Sequence, residues 1–233
     1  MIFAKRLVYS MKAEAKELTG LLRIVPGKHR LITVVGAGGK TTLIYLLARE
    51  LTDAGYKVAV TTTTHMQAEG RYGFCPLGIP CEDGKIKGIS EEFPGELLKE
   101  YDIVLVEGDG SRQLPMKFPA DHEPVIPAKT DMVIGVAGAG AIGRTFREAC
   151  HRYHIACAYF RCEPDEQIKV VHMAEALTSR DGQKKNVVCE YRYLINQIDR
   201  LEDDTRKELR EVMQKREECG GMVSLHQIEE KYL

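Results

Sequence analysis

The sequence has no excess of charge of either sign: 33 Lys and Arg stand against 34 Asp and Glu, for a formal net charge of -1. A nucleic-acid surface normally shows a basic excess or a basic stripe, so no nucleic-acid partner is expected. The seven cysteines are an odd number and no two have C-x-x-C spacing, which removes the usual sequence signature of a redox or zinc pair. No apolar stretch reaches the roughly 18 residues of a membrane span. The first 30 residues carry a short apolar run but no h-region with a small-residue cleavage site. These absences read as a cytoplasmic protein with reduced thiols and no membrane partner. Internal repeats and low-complexity linkers are missing too. What is present, 44% apolar and 29% charged residues over 233 positions, is the make-up of a folded chain able to bury a core without staples. A single domain over 1–233 is expected, with 1–30 as a helical extension and 200–233 as a C-terminal helix and tail.

Residues 11–23 have helical spacing, with Leu18, Leu21 and Leu22 gathered together, and Pro26-Gly27 breaks the chain. Leu31–Val35 is a short, continuously apolar run, the mark of a strand buried on both faces. Gly36–Lys40 turns, and 41–54 places Leu43, Ile44, Leu47, Ala48 and Leu51 on one helix face before Gly55. Lys57–Val60 begins the next strand, giving a β-loop-α-β unit and therefore a right-handed crossover and a parallel pair. Residues 66–95 are Gly- and Pro-rich and read as a loop with a small hairpin. Further strands are expected at 103–106, 132–136 and 193–195, and a charged amphipathic helix at 201–219. The fold class is α/β, P-loop NTPase-like: a mainly parallel sheet flanked by helices, with ligands at the carboxyl ends of its strands.

After the first strand the chain reads Gly36-Ala37-Gly38-Gly39-Lys40-Thr41-Thr42. Glycines let backbone N–H groups face an anion, and the helix that follows adds its positive N-terminal end. Lys40 is placed to reach the β- and γ-phosphates and the Thr41 hydroxyl to ligate Mg2+, the two cofactor roles of a triphosphate site for GTP or ATP. The loop departs from the standard pattern because Val34 stands where its first glycine belongs. It is a shortened form, of a kind also seen in Mur-type ligases. That keeps a kinase or ligase acting on a small acid as an alternative to an NTP hydrolase.

Ile103–Val106 runs into Glu107-Gly108-Asp109-Gly110, which delivers carboxylates to the same sheet edge. Either Glu107 or Asp109 can hold the metal through water or orient the attacking water, and the metal role is left shared between them. The second strand ends in Thr61-Thr62-Thr63-Thr64-His65; Thr63, Thr64 and His65 are candidates for γ-phosphate or substrate contact, although threonine is equally a strand former. Asn196-Gln197-Ile198-Asp199 follows the fifth strand in the place where many P-loop GTPases carry Asn-Lys-x-Asp. A carboxylate there accepts from guanine N1 and N2, a donor pair that adenine lacks, so Asn196 and Asp199 are the base-recognition candidates and GTP is favoured over ATP.

Two other patterns compete. Gly138-Ala139-Gly140-Ala141-Ile142-Gly143 after a strand is the dinucleotide fingerprint, with Glu163 twenty residues on, and supports an NAD-linked oxidoreductase. Cys150, His151, His154 and Cys157 can be read as a metal cluster, with 150, 154 and 157 on one helix face, but structural zinc sites show close pairs separated in sequence, and ordinary small thiols with a surface imidazole fit better. The run Pro119-Ala120-Asp121-His122-Glu123-Pro124 follows Lys117; Asp121 and His122 there are candidates for acid–base, substrate or partner contact.

Taken together, Val-Val-Gly-Ala-Gly-Gly-Lys-Thr-Thr (34–42), Thr-Thr-Thr-Thr-His-Met (61–66), Val-Glu-Gly-Asp-Gly-Ser-Arg (106–112), Pro-Ala-Asp-His-Glu-Pro-Val-Ile-Pro (119–127) and Val-Ile-Gly-Val-Ala-Gly (133–138) occur in this order. The combination resembles the YqeC family, accessory proteins of selenium-dependent molybdenum hydroxylases, over roughly residues 30–200. The resemblance implies an NTP-dependent role in making or inserting a selenium-containing cofactor, with a molybdenum hydroxylase or a cofactor-biosynthesis protein as partner. It carries over Lys40 and Thr41 for phosphate and Mg2+, and Glu107, Asp109, Ser111 and Arg112 as site residues, Arg112 as a candidate for neutralising γ-phosphate charge. Asp121 and His122 come with it as motif positions. The chain departs from the family pattern at Gly108, where Ala is usual, and at Ala139-Gly140-Ala141, where an Asp-containing run is usual.

Overall fold

Short apolar runs with β-branched residues form the core strands. In a computed structural model describing residues 18–230, they are β1 (Leu31–Gly36), β2 (Val58–Thr62), β3 (Ile103–Glu107), β4 (Met132–Gly138) and β5 (Glu190–Asn196), joined by β6 (Cys219–Met222). All six are parallel, in the order β6-β5-β4-β1-β3-β2. Every residue of β1 to β4 is buried, as a parallel sheet covered on both faces requires. The registers pair Val34 and Thr62 with Glu107, Gly36 with Val136, and Asn196 with Gly138. One sheet edge therefore gathers Gly36, Thr62, Glu107, Gly138 and Asn196.

One face of the sheet is covered by α1 (Lys40–Asp53), whose Leu43, Ile44, Leu47 and Leu51 pack on Ile32, Val34, Leu105 and Ile134. Each such side chain contributes roughly 1.5–3 kcal/mol on leaving water. Gly55, in the left-handed region, donates to the Thr52 carbonyl and ends the helix. The other face carries α2 (Tyr153–Phe160), α3 (Val170–Thr178) and α4 (Asp203–Gln214), which bury Met173, Leu177, Leu209 and Met213 against Val133 and Ile195. Among the described residues no helix is long and apolar enough to cross a membrane.

Three expectations change. The 66–95 segment holds a three-stranded antiparallel sheet (65–67, 85–87, 79–80), a wing attached after β2, where one hairpin was expected. The helix expected over 201–219 ends at Gln214, and its tail becomes the turn into β6. Gly220 and Gly221 weaken the strand signal of β6, but a Cβ at Gly220 would lie 2.3 Å from the Tyr193 carbonyl, so close strand packing excludes a side chain there. Of the N-terminal helix, only Leu18–Leu21 is described; 11–17 and the tail residues 231–233 lie outside the described residues.

Candidate functional site

The loop between β1 and α1 is three residues, Ala37 to Gly39, following Gly36 at the strand end, and α1 opens at Lys40. Gly39, at φ +134°, caps the helix without any side-chain acceptor for the first-turn amides. An uncapped helix start carrying positive partial charge is a ready anion site. Gly38, at φ +76°, lies so close to the β4 edge that a Cβ would meet the Gly138 nitrogen at 2.3 Å and the Pro115 oxygen at 2.7 Å. Ala37 is buried, its N–H donating to Val136, while Thr42 lines the open side.

Lys40 is buried, and its ammonium donates to the Gly36 carbonyl (2.8 Å) and to Ser111 Oγ (3.3 Å), beside Asp109 (3.3 Å) and Glu107 (3.8 Å). The Thr41 hydroxyl donates to Glu107 Oε2 at 2.8 Å. Burial pushes the Glu107 pKa above its usual value, against the Lys40 charge and the Thr41 hydrogen bond. Asp109 is occupied differently. Both its oxygens accept from the Gly36 N–H at 3.0 Å, and Oδ2 lies 3.0 Å from the Lys117 ammonium. The two carboxylates therefore stand differently: Glu107 lies beside Thr41, and Asp109 clamps the start of the glycine loop.

Lys117 is entirely buried, 3.1 Å from Glu123 Oε1, and donates to the Gly110 carbonyl at 2.7 Å. Arg152, in the left-handed region, grips Glu123 with two hydrogen bonds of 2.8 and 3.1 Å. Burial raises the Glu123 pKa, but the hydrogen bonds from Arg152 and the Ala120 amide and the Lys117 charge outweigh it and bring it down to about 2. Within the Pro119–Pro127 run the buried, networked acid is therefore Glu123. Asp121 is fully exposed on a salt bridge to Lys185, His122 is exposed, and neither lines the cleft.

A cleft of about 870 Å3 runs along this edge, from His65, Gln67 and Lys85 of the wing, past Lys40, Ser111 and Arg112, to Gln197, Asp199 and Leu225. Asn196 braces it: its amide donates to the Gly38 carbonyl (2.8 Å) and its oxygen accepts from the Leu225 N–H (2.8 Å). Asp199 is exposed at the cleft, its N–H donating to Ser224 Oγ (3.2 Å) while the Ser224 hydroxyl donates back to Asp199 Oδ1. Of the threonine run, Thr63 donates to the Val125 carbonyl and the buried Thr64 hydroxyl has no partner among the described residues; of Thr63, Thr64 and His65, the histidine lines the cleft.

The competing fingerprint is accounted for otherwise. After Gly138 the chain makes a three-residue 3-10 turn and then extends at Ile142; the next helix, Phe146–Ala149, is four residues long. A dinucleotide site needs a helix N-terminus directly at the glycines, and here Gly138 instead donates to Pro115 and packs on the phosphate loop. Cys150 is also displaced from its expected helix face: it pairs with Met116 in a two-residue strand, whereas Cys157 belongs to α2.

A sequence model of the family described as "YqeC protein" matches residues 32–154, more than half of the chain. The chain belongs to the YqeC family. The Escherichia coli K12 relative described as "Uncharacterized protein YqeC" is 31% identical over 199 residues, covering 74% of this chain and 78% of the relative. Among solved structures, FlhF complexed with GMPPNP/Mg2+ is similar with a TM-score of 0.45 and 16% identity, over 84% of this chain and 66% of the FlhF chain. In this YqeC-family chain, Lys117, Glu123, Arg152 and Ser224 join the site without having been picked from sequence. Glu123 had a signal, its place in the Pro119–Pro127 run. Arg152 and Ser224 had none, because only tertiary contacts over 29 and 25 residues bring them in.

Proposed function

We propose that this chain binds a Mg2+–nucleoside triphosphate, GTP in preference to ATP, and hydrolyses it. The observation that carries the reading is the Thr41–Glu107 hydrogen bond beside an uncapped α1 start and the Lys40 ammonium. Mg2+ takes hard oxygen donors, and the Thr41 hydroxyl and Glu107 carboxylate fit that demand; these two would hold the ion. Bound there, the ion would neutralise charge on the β- and γ-phosphate oxygens. Gly39 to Thr42 cradle phosphate and Arg112, at the cleft, meets developing γ-phosphate charge. Guanine is favoured by Asp199, which lines the cleft and whose carboxylate Ser224 holds. Asn196 shapes the cleft by tying the phosphate loop to Leu225.

The cellular role we assign is cytoplasmic and follows from the family resemblance: maturation of a selenium-dependent molybdenum hydroxylase, with that enzyme or a cofactor-biosynthesis protein as partner. A second reading, phosphoryl transfer to a small acid, is favoured by the extension of the cleft beyond Lys40 to His65, Gln67 and Lys85. Thermal melting of wild type and Lys40→Ala with GTP, ATP and NAD, with and without Mg2+, tests the central claim. A ligand at 100 times its Kd adds about 2.7 kcal/mol. A Mg2+-dependent shift with GTP that Lys40→Ala loses is expected; a shift with NAD alone, kept in Lys40→Ala, refutes the proposal. Phosphorus NMR of the products then separates free phosphate from a phosphorylated acceptor.

A further inference from the structure

Three carboxylates and three cations line up behind the phosphate loop: Glu107, Asp109 and Glu123 with Lys40, Lys117 and Arg152. Asp109 is the junction. On its cleft side it lies 3.3 Å from Lys40, and on its inner side 3.0 Å from Lys117. Buried charges persist only when paired, and removing one partner leaves the other uncompensated. A lysine that serves phosphate must turn its ammonium away from its resting partners. Glu107 then has Thr41 and the incoming cation, but among the described residues Asp109 is left with the Gly36 N–H and Lys117.

From this arrangement we infer that Lys117 is a positioning residue for the phosphate loop: by neutralising Asp109 from inside the protein, it frees the Lys40 ammonium to serve the phosphates. The inference rests on the nucleotide-binding reading above and deepens it. Glu123 and Arg152 complete the device. Glu123 draws on the other side of the Lys117 ammonium, and the two-pronged grip of Arg152 keeps Glu123 from pulling Lys117 off Asp109. The low pKa of Glu123, about 2, agrees with a carboxylate charged at every working pH. Lys117 also holds the Gly110 carbonyl, and Arg112 and Gln113, just past Ser111, are both in the left-handed region. The cleft wall beside Lys40 is thus a strained turn pinned from within by the same ammonium. The role of the Pro119–Pro127 run follows: it delivers Glu123 to the chain of charges, and its exposed Asp121 and His122 are not needed for that.

The test compares the affinities of wild type, Lys117→Met, Lys117→Met with Asp109→Asn, and Arg152→Met for GMPPNP and for GDP, with Mg2+ and with melting temperatures measured alongside. Without Lys117, Asp109 holds Lys40 back, so Lys117→Met should weaken GMPPNP binding about tenfold more than GDP binding, within the usual range of site coupling. Adding Asp109→Asn removes the competitor for Lys40 and should restore most of the lost preference, a recovery that a merely structural lysine would not show. Equal weakening of both nucleotides with a lowered melting temperature, or no recovery in the double variant, overturns the inference. If Lys117→Met does not fold, Arg152→Met decides: it touches Glu123 outside the cleft and should shift the GMPPNP-to-GDP ratio in the same direction, and an unchanged ratio overturns the inference. A wild type that binds neither nucleotide, and melts as Lys40→Ala does, overturns the nucleotide reading itself.

Discussion

Replacing Gly38 by alanine probes how closely the phosphate loop is seated on the β4 edge. The new Cβ would sit 2.3 Å from the Gly138 nitrogen, 2.6 Å from its Cα and 2.7 Å from the Pro115 oxygen. All three are backbone atoms and cannot swing aside. The backbone at φ +76° adds its own strain, roughly 1–2 kcal/mol for a residue with a Cβ. Overpacking against rigid neighbours adds roughly 1–3 kcal/mol. Gly55→Ala is the matched control, since Gly55 has φ +93° with nothing within 4 Å of the new atom. In a chain of this size each kcal/mol moves Tm by about 2–4 °C. Calorimetry should therefore show Gly55→Ala lower by roughly 2–8 °C and Gly38→Ala by roughly 4–20 °C. Gly38→Ala should also lose GTP binding, while Gly55→Ala keeps it. Equal Tm losses in the two variants would refute the close seating of the loop on Gly138.

Asp199→Ala and Ser224→Ala should weaken GTP binding about 10- to 100-fold and about 3- to 10-fold, with ATP unchanged, given roughly 1.5–3 kcal/mol for hydrogen bonds to a charged group; fluorescent-nucleotide titration measures both, and parallel losses for ATP would sink the guanine assignment. The folded-state pKa of Glu123, about 2, lies below its ordinary 4.5. Its stabilisation is therefore fully present above pH 4.5 and is lost as pH falls toward 2. Urea melts should show wild type losing about 2 kcal/mol of its advantage over Glu123→Gln between about pH 6 and pH 3; a constant advantage contradicts the assignment. Arg112→Ala should lower kcat for hydrolysis by roughly 1000-fold or more with little change in nucleotide affinity, as for other arginines at γ-phosphate, and an unchanged kcat removes Arg112 from the mechanism.

Much of the sheet was legible because each core strand is a self-contained signal. A run such as Ile103–Val106 is apolar without alternation, and only a strand covered on both faces can bury it. The same holds for Leu31–Val35, and the glycines, lysine and threonines that follow mark a strand-to-helix phosphate loop by local chemistry alone. β6 was illegible for the converse reason. Cys219–Met222 contains two glycines, which local preference places in turns, and it becomes a strand because Tyr193 admits no side chain at Gly220. The competing fingerprint at Gly138–Gly143 shows that glycines report a lack of space without saying what fills it. Here a Cβ at Gly138 or Gly140 would meet the Gln197 side-chain oxygen, at 2.5 and 3.0 Å, so a protein neighbour accounts for both glycines.

The chemistry of the site divides along the same line. Lys40, Thr41 and Glu107 could be named from residue type and spacing, since a loop and a strand end carry each to the carboxyl edge of the sheet. Which acid faces Thr41, and which is clamped by Gly36 and Lys117, depends on side-chain distances that no spacing encodes. The pairing of Glu123 with Arg152, and of Asp199 with Ser224, likewise joins segments 29 and 25 residues apart. Local sequence determined where backbone and charge arrive at the sheet edge; only the packed structure decided which charges neutralise one another there, because ion pairing depends on distance in space and burial.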